Sequence, residues 1–187
     1  GSGDHGYVLR TRAALNYARG GLRLGAEVLD ARAYGLAPHS SADGNLVDVF
    51  EPLVAFVGWE GAIGDERRLS LRAGRLTPSF GAGRLVGRNG YRNMPNAFTG
   101  ALAEVTAEDR RLQLFALSPQ RRLPGNFEDV RENHWALDEE STDARLLGAY
   151  ATMPSGGGDQ LEAYGLVLRE RDGGAPTRNR RLQTVGG

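Results

Sequence analysis

The chain lacks lysine and cysteine altogether, and it contains no long apolar run. All 23 basic residues are arginine and they balance 23 acidic residues, so no net charge is available to hold a polyanion such as DNA. The absence of cysteine excludes a disulfide framework and a thiolate metal site. No segment reaches the roughly 18 apolar residues of a transmembrane helix.

The exclusive use of arginine has two explanations, which are compatible with each other. A GC-rich genome favours arginine codons together with those of alanine and glycine. In addition, guanidinium groups bind carboxylates in a planar, bidentate way that ammonium groups cannot. The second explanation makes the arginines candidate ligands for an acidic solute.

Side-chain alternation with a period of two dominates the chain and predicts strands longer than the usual five or six residues. That length suits a strand that crosses a membrane at a tilt. In the second candidate strand the phase slips near Leu29, which indicates either a bulge or a strand leaving the membrane. Pro52 in the third requires a bulge, because proline cannot donate a ladder hydrogen bond. The candidate strands are 7–19, 22–34, 46–59, 69–76, 98–106, 111–118, 144–153, 160–170 and a last one from about residue 178.

The connections between these strands alternate between short and long. Loops above about a dozen residues are uncommon in compact soluble domains, whereas transmembrane barrels combine short periplasmic turns with long outer loops. The pattern predicts an all-β fold, an antiparallel up-and-down transmembrane β-barrel. Nine strands cannot close a bacterial barrel of even strand number, so residues 1–187 are expected to form a single partial barrel domain. The short connections are 20–21, 61–67, 107–110 and 154–158; the long ones are 35–45, 77–97, 120–143, where 126–140 allows a short helix, and about 171–177.

One segment, 69–100, contains Gly74-Arg75-Leu76, then Phe80-Gly81-Ala82-Gly83-Arg84-Leu85, then Phe98-Thr99-Gly100. This order resembles the signature of the alginate export family of outer-membrane barrels. Further similar pieces follow in the family's order at 115–119, 126–129, 147–152 and 161–166. The resemblance extends from about residue 46 to the end of the chain.

The resemblance implies a pore of about 18 strands, lined by arginine and accepting a polyuronate, within the range of known bacterial barrels. Two positions depart from the family pattern. Leu76 replaces a glutamine, and Thr99 replaces an aspartate whose carboxylate could orient an arginine.

Arginines concentrate around the fourth strand and the loop that follows it. They either bind the carboxylates of a solute in the lumen or pair with acids on neighbouring strands and fix the register. Strict alternation puts Arg75 on the face opposite Arg72, so either Gly74 is a bulge or Arg75 has left the membrane. The predicted pore-lining residues are Arg10, Arg12, Arg23, Glu27, Arg72, Arg75, Arg84, Arg88, Arg92, Glu104, Arg145 and Glu162.

Other motifs carry little chemistry. The glycines at 81 and 83 precede no Gly-Lys-Ser/Thr ending, so they predict an inward-folding loop rather than a nucleotide site. The histidines show no metal-ligand spacing. The acids at 128–129 and 138–140 are interpreted as solvated loop residues, and no Ser/His/Asp arrangement is formed. Aromatic residues near strand ends suggest an interfacial girdle: Tyr7, Tyr17, Tyr34, Trp59, Phe98 and Tyr150.

These observations predict a non-enzymatic channel in the outer membrane of a Gram-negative bacterium. It would carry an anionic saccharide such as an alginate-like polyuronate, or a related small carboxylate, by diffusion or export. The expected partners are outer-membrane lipid, that solute and periplasmic export proteins, with no nucleic acid, metal or cofactor. The alternative is a soluble antiparallel β domain that binds carbohydrate, in which the apolar faces form a sandwich core.

Overall fold

A computed structural model describes residues 6–37, 45–90, 93–171 and 179–187. They form one antiparallel sheet of nine long strands and one two-residue strand, with a single short helix in this described part. The bounds of β1 and β2 match the prediction, and the other long strands differ from it by a few residues. The elements are β1 (Tyr7–Arg19), β2 (Leu22–Tyr34), β3 (Asp48–Ile63), β4 (Arg67–Leu76), β5 (Phe98–Ala107), β6 (Arg110–Arg121), α1 (Phe127–Arg131), β7 (Glu139–Glu140), β8 (Ala144–Gly156), β9 (Asp159–Glu170) and β10 (Arg180–Gly186).

The long strands follow one another across the sheet in chain order, and β7 pairs with the end of β6. Among the described residues β1 and β10 each have one neighbouring strand, so the sheet is open. This is the architecture of a sector of an up-and-down barrel. The helix α1, the only one in the ranges given above, is too short and too polar to cross a membrane.

Short and long connections lie at opposite ends of the strands, as predicted. The turns at one end contain two or three residues: 20–21, 64–66, 108–109 and 157–158. The long connections at the other end include residues 77–97 and 122–143. Residues 38–44 and 172–178, where the remaining two long loops and the predicted start of the last strand fall, lie outside the described part of the chain.

The two faces of the sheet differ in chemistry. Residues paired across antiparallel strands lie on the same face, and the register joins Leu15, Ala26 and Ala55 on one side. On this outward face, large apolar side chains remain exposed, and no second layer of described residues packs against them. We call this exposed surface the apolar band; a soluble sandwich would bury it. Its members include Leu9, Leu15, Leu24, Val57, Leu71, Leu112, Leu114, Met153, Leu161 and Val185.

The opposite face, here termed the covered face, carries the polar residues and is partly covered by the long loops. Phe80 and Val86 of loop 77–97 pack on Leu102, Phe115 and other residues of the sheet. A second cluster joins Leu29 to Met94, and a third joins Ala33 to Val130 of α1. The apolar core of the described structure therefore lies between sheet and loops, at the long-loop end.

The aromatic girdle predicted from the sequence is only partly observed. Tyr7 and Tyr34 stack on the outward face with ring centroids 5.2 Å apart. Tyr150 and Phe98, in contrast, belong to the covered face and pack in the loop-covered core. These two were wrongly assigned because the loops create a second apolar environment inside the sheet.

The phase slip near Leu29 occurs where β2 extends past the apolar band of the outward face. β2 keeps an unbroken register with β1, and Leu29 remains on the covered face, buried beneath Met94. Outward-facing Asp30 and Arg32 bond to each other and mark the end of the apolar band on this strand. The bulges lie instead on β3, where the register with β2 shifts on either side of Pro52, as that proline requires.

Gly74 is a position where only glycine fits. Its φ is 129°, and a Cβ there would lie 2.3 Å from the Ala55 carbonyl oxygen. We expect Gly74→Ala to destabilise the fold by about 1–3 kcal/mol, through backbone strain and steric overlap. The matched control is Gly165→Ala on β9, where the nearest atom, Cγ1 of Val185, is 4.0 Å away. Denaturant unfolding in detergent micelles measures both, and equal stability of the two variants would contradict this account.

Candidate functional site

Glu27 is the centre of the ion pairs on the covered face. Its carboxylate accepts hydrogen bonds from Arg12 and from Arg88, each at 2.6 Å. Arg88 also donates to the Thr77 hydroxyl at 3.1 Å. Because Glu27 is on β2, Arg12 on β1 and Arg88 in loop 77–97, this group ties the loop to the sheet.

Two further carboxylates pair with arginines toward the short-turn end. Glu60 accepts from Arg23 at 3.2 Å and also pairs with Arg68. Glu104 accepts a hydrogen bond from Gln113 at 2.7 Å and lies 3.8 Å from Arg111. For Arg12, Arg23 and Arg88 the geometry therefore fits the interpretation in which arginines pair with acids on neighbouring strands.

Other predicted arginines keep their guanidinium groups accessible on the covered face. Arg72 is exposed, lies over the Phe56 ring at 5.9 Å, and forms no ion pair with any carboxylate of the described residues. The side chain of Arg84 is 77% exposed and lies 3.7 Å from Glu162. Arg10 donates to the backbone carbonyl of Gly90 at 3.3 Å. Arg72 and Arg84 can reach a solute without first breaking a buried ion pair of the described residues.

Arg75 has a different environment from Arg72. The register of β4 is unbroken at Gly74, so the proposed bulge is absent. The Arg75 side chain is only 14% exposed and pairs with Glu51. It also donates to the carbonyls of Pro52 and Asp138, each at 2.9 Å. Arg75 thus anchors loop 122–143 to the sheet.

A hydrogen-bonded chain connects Arg75 to one of the positions that depart from the family pattern. Arg75 donates to the Gln120 side-chain oxygen at 2.5 Å, and the Gln120 amide donates to the Thr99 hydroxyl at 2.6 Å. Thr99 is the residue that replaces the expected aspartate. The orienting role that a carboxylate could have there is taken by Gln120 in this chain.

Three acids meet beside Arg75, and the sequence interpretation did not anticipate them. Oxygens of Asp48, Glu51 and Asp138 lie within 4.8 Å of one another. Asp48 is 2% exposed, and its Oδ1 accepts no hydrogen bond from any described residue. Asp138, interpreted from sequence as a solvated loop acid, is partly buried and accepts from the Leu123 amide at 2.8 Å. The sequence signal that could have revealed this cluster is the presence of two acids, Asp48 and Glu51, inside the apolar run 46–59.

These acids lie beyond the apolar band, because Asp48 pairs with Ala31, next to the outward-facing Asp30 and Arg32. Burial raises the pKa of Asp48 to about 8, and the nearby Asp138 adds to the effect while Arg122 and Arg75 oppose it. Burial also raises the pKa of Asp138. The surroundings therefore favour the neutral form of these two acids over the ionised form.

Arg145 was predicted to line the pore, and this assignment is wrong. Tyr150, Gly148 and Leu146 share the covered face with Gln113, Phe115 and Leu117 of β6. Arg145 falls on the opposite, outward face. The leucines at 146 and 147 obscured the phase, since one packs inward and the other outward. Arg92 lies outside the described residues.

Loop 77–97 folds inward, as its glycines predicted. Gly81 and Gly83 have φ of 62° and 80°, and Phe80 forms a β-bridge with Val86 across the turn. Phe80 is 1% exposed and stacks on Phe115 with centroids 4.2 Å apart. A polar cleft of about 730 Å³ lies between this loop and the short turns.

The buried carboxyl group of Asp48 predicts an unusual pH dependence of stability. Its folded-state pKa of about 8 exceeds the ordinary 3.8, so the wild type loses stability as the pH rises from about 4 to 8. We expect Asp48→Asn to stabilise the protein by about 1–3 kcal/mol at pH 8 and by less at pH 5. Urea unfolding in detergent at both values tests this, with exposed Glu140→Gln as the control. A gap that is constant with pH would contradict the assignment.

The comparison with family models finds a match to "Alginate export" over residues 2–186. It covers more of the chain than the region from residue 46 that the motifs indicated. Neither the curated proteins nor the solved structures gave a match. The match supports a role in the export or transport of alginate, and the name describes a transport family rather than an enzyme family. With nearly its whole length matched, the chain belongs to the alginate export family.

Proposed function

We propose that the protein forms a water-filled channel in the outer membrane of a Gram-negative bacterium, through which an anionic saccharide passes passively. The solute is an alginate-like polyuronate or a related carboxylate, and arginines of the covered face give the channel its anion preference. The observation that carries the proposal is the accessible guanidinium of Arg72 on the face opposite the apolar band.

The membrane location rests on the apolar band. Monomeric soluble proteins rarely expose apolar patches larger than a few hundred square ångströms, and larger patches mark contact with a membrane or a partner. Here the exposed apolar residues extend across strands from β1 to β10. A barrel with its apolar face to lipid and its polar face to water accounts for both surfaces.

The choice of an anionic solute rests on how the arginines are distributed. Glu27 and Glu51 are buried and paired, so their partners serve mainly to hold the structure together. Arg72 and Arg84 remain exposed, and the Arg12 side chain is 41% exposed although it pairs with Glu27. Accessible guanidinium groups bind sugar carboxylates by charge-assisted bidentate hydrogen bonds. Rings of such groups set the anion preference of pores.

Loop 77–97 would narrow the channel. It occupies part of the covered face, where Phe80 packs against Phe115 and Tyr150. The polar cleft between this loop and the short turns includes Arg111, Gln113 and Glu162. Its polar lining suits a hydrated sugar. Passage of a chain-like solute would then follow this cleft, and periplasmic export proteins would deliver the solute to it.

The anion preference is tested by conductance of the full-length protein in planar bilayers. We expect the wild type to be anion-selective, and Arg72→Gln to lower the anion-to-cation permeability ratio by about twofold, because one lumen charge is lost. Stability should change by less than about 0.5 kcal/mol, since no buried partner is left unpaired. Arg145→Gln, the same substitution on the outward face, is the matched control and should leave selectivity unchanged. A cation-selective or non-conducting wild type would overturn the proposal.

The constriction is tested by removing the aromatic ring that anchors the loop. Phe80→Ala should free loop 77–97 from Phe115, because burial of a phenyl ring of this kind contributes about 3–5 kcal/mol. The expected result is a larger and noisier single-channel conductance. Phe50→Ala is the control, since the Phe50 ring is 60% exposed. If both variants conduct like the wild type, the loop does not limit passage.

A further inference from the structure

Three arginines lie side by side on the outward face at the long-loop end of the sheet. Arg145 of β8 is directly opposite Arg169 of β9, and Arg169 is directly opposite Arg181 of β10. Directly opposed residues share a face, with Cβ atoms about 5 Å apart. We call these three residues the outer arginine row.

The row lacks compensating charge within the described part of the chain. All three arginines are exposed, and none of them forms an ion pair with a carboxylate of the described residues. In the favourable orientation of its neutral amide, the side-chain oxygen of Gln183 accepts a hydrogen bond from Arg181 at 2.9 Å. Like charges directly opposite each other in a sheet are destabilising. The arrangement is therefore suited to an external anion.

A neighbouring residue shows the contrast. Arg180, next to Arg181 in sequence, faces the other side of the sheet and pairs with Glu170. At the same end of β2, the outward-facing Arg32 pairs with Asp30 at 3.1 Å. Arg180 and Arg32 are thus paired with a carboxylate, whereas none of the three row arginines forms an ion pair with a carboxylate of the described residues.

The position of the row relative to the apolar band identifies the kind of anion. Toward the short-turn end, the next residues on the same face are Leu147 and Ala149 on β8, and Val167 and Gly165 on β9. On β10 the next residues on this face after Arg181 are Gln183 and then Val185. The row thus lies where the apolar surface ends, on the side of the long loops. A ligand that fits both surfaces has an anionic head and an apolar tail.

We propose that the outer arginine row binds the phosphate groups of phosphorylated lipids in the outer leaflet, with the acyl chains along the apolar band. The proposal rests on the membrane location in the proposed function, and not on the solute or on anion preference. Guanidinium groups bind phosphate in a planar, bidentate geometry, and three adjacent groups can engage more than one phosphate. Free phosphate would gain nothing from the apolar surface beneath the row.

Lipid binding to the purified, full-length protein in a neutral detergent tests the proposal by native mass spectrometry. The probes are a diphosphorylated glucosamine-based lipid, its dephosphorylated form, and inorganic phosphate as competitor. We expect the wild type to prefer the phosphorylated lipid by at least about tenfold. The triple variant Arg145→Gln, Arg169→Gln, Arg181→Gln should lose this preference. Arg32→Gln, an outward arginine already paired with Asp30, is the matched control and should keep it.

Unchanged preference in the triple variant would overturn the proposal, and so would equally tight binding of inorganic phosphate. Should the triple variant fold poorly on a heat-modifiability gel, Arg169→Gln alone, at the centre of the row, should still reduce the preference severalfold. Anion selectivity in planar bilayers is measured on the same variants and should not change. A wild type without anion selectivity would therefore count against the proposed solute alone. An unchanged lipid preference in the row variants would count against the lipid site alone.

Discussion

The alternation of side chains across a single-layer sheet is the constraint on which the rest of this structure depends. In each long strand the backbone hydrogen bonds are made to neighbouring strands, so the two faces are free to meet different surroundings. Here one face is apolar and exposed, and the other carries charge and is partly covered by loops. One rule of geometry therefore separates the residues of the apolar band from those of the covered face.

The arginines divide by environment rather than by chemistry. Arg75 and Arg88 are held by buried carboxylates and attach the long loops to the sheet, whereas Arg72 stays accessible on the covered face. Removing one partner of a buried pair leaves an uncompensated charge, which costs far more than losing an exposed group. Buried arginines therefore hold the loops to the sheet, whereas exposed arginines keep their guanidinium groups accessible, because burial decides which contacts each guanidinium makes.

Much of the fold could be predicted because a sheet of this kind is local. Each strand pairs with the next, so period-two alternation and connection length sufficed for β1, β2 and the inward loop. The errors occurred where long loops place apolar residues on the inner face as well. Tyr150 and Leu146 are apolar and inward, and they hid the true phase of Arg145. The acids at 48 and 51 were missed because their partners come from loop 122–143, about 90 positions away in sequence.

The same inner apolar core explains why the strands change character toward the long loops. Toward the short-turn end, the covered face is polar and the outward face is apolar. Toward the long-loop end, Leu29 and Ala33 face inward while Asp30 and Arg32 face outward. The strands thus reverse their pattern without changing register, since β1 and β2 stay paired residue by residue. The reversal marks the level at which the apolar band ends on the outward face of β2 and loop packing begins on the covered face. The outer arginine row lies on the same outward face near the other edge of the sheet, on β8, β9 and β10. There Arg145 follows the buried Ala144.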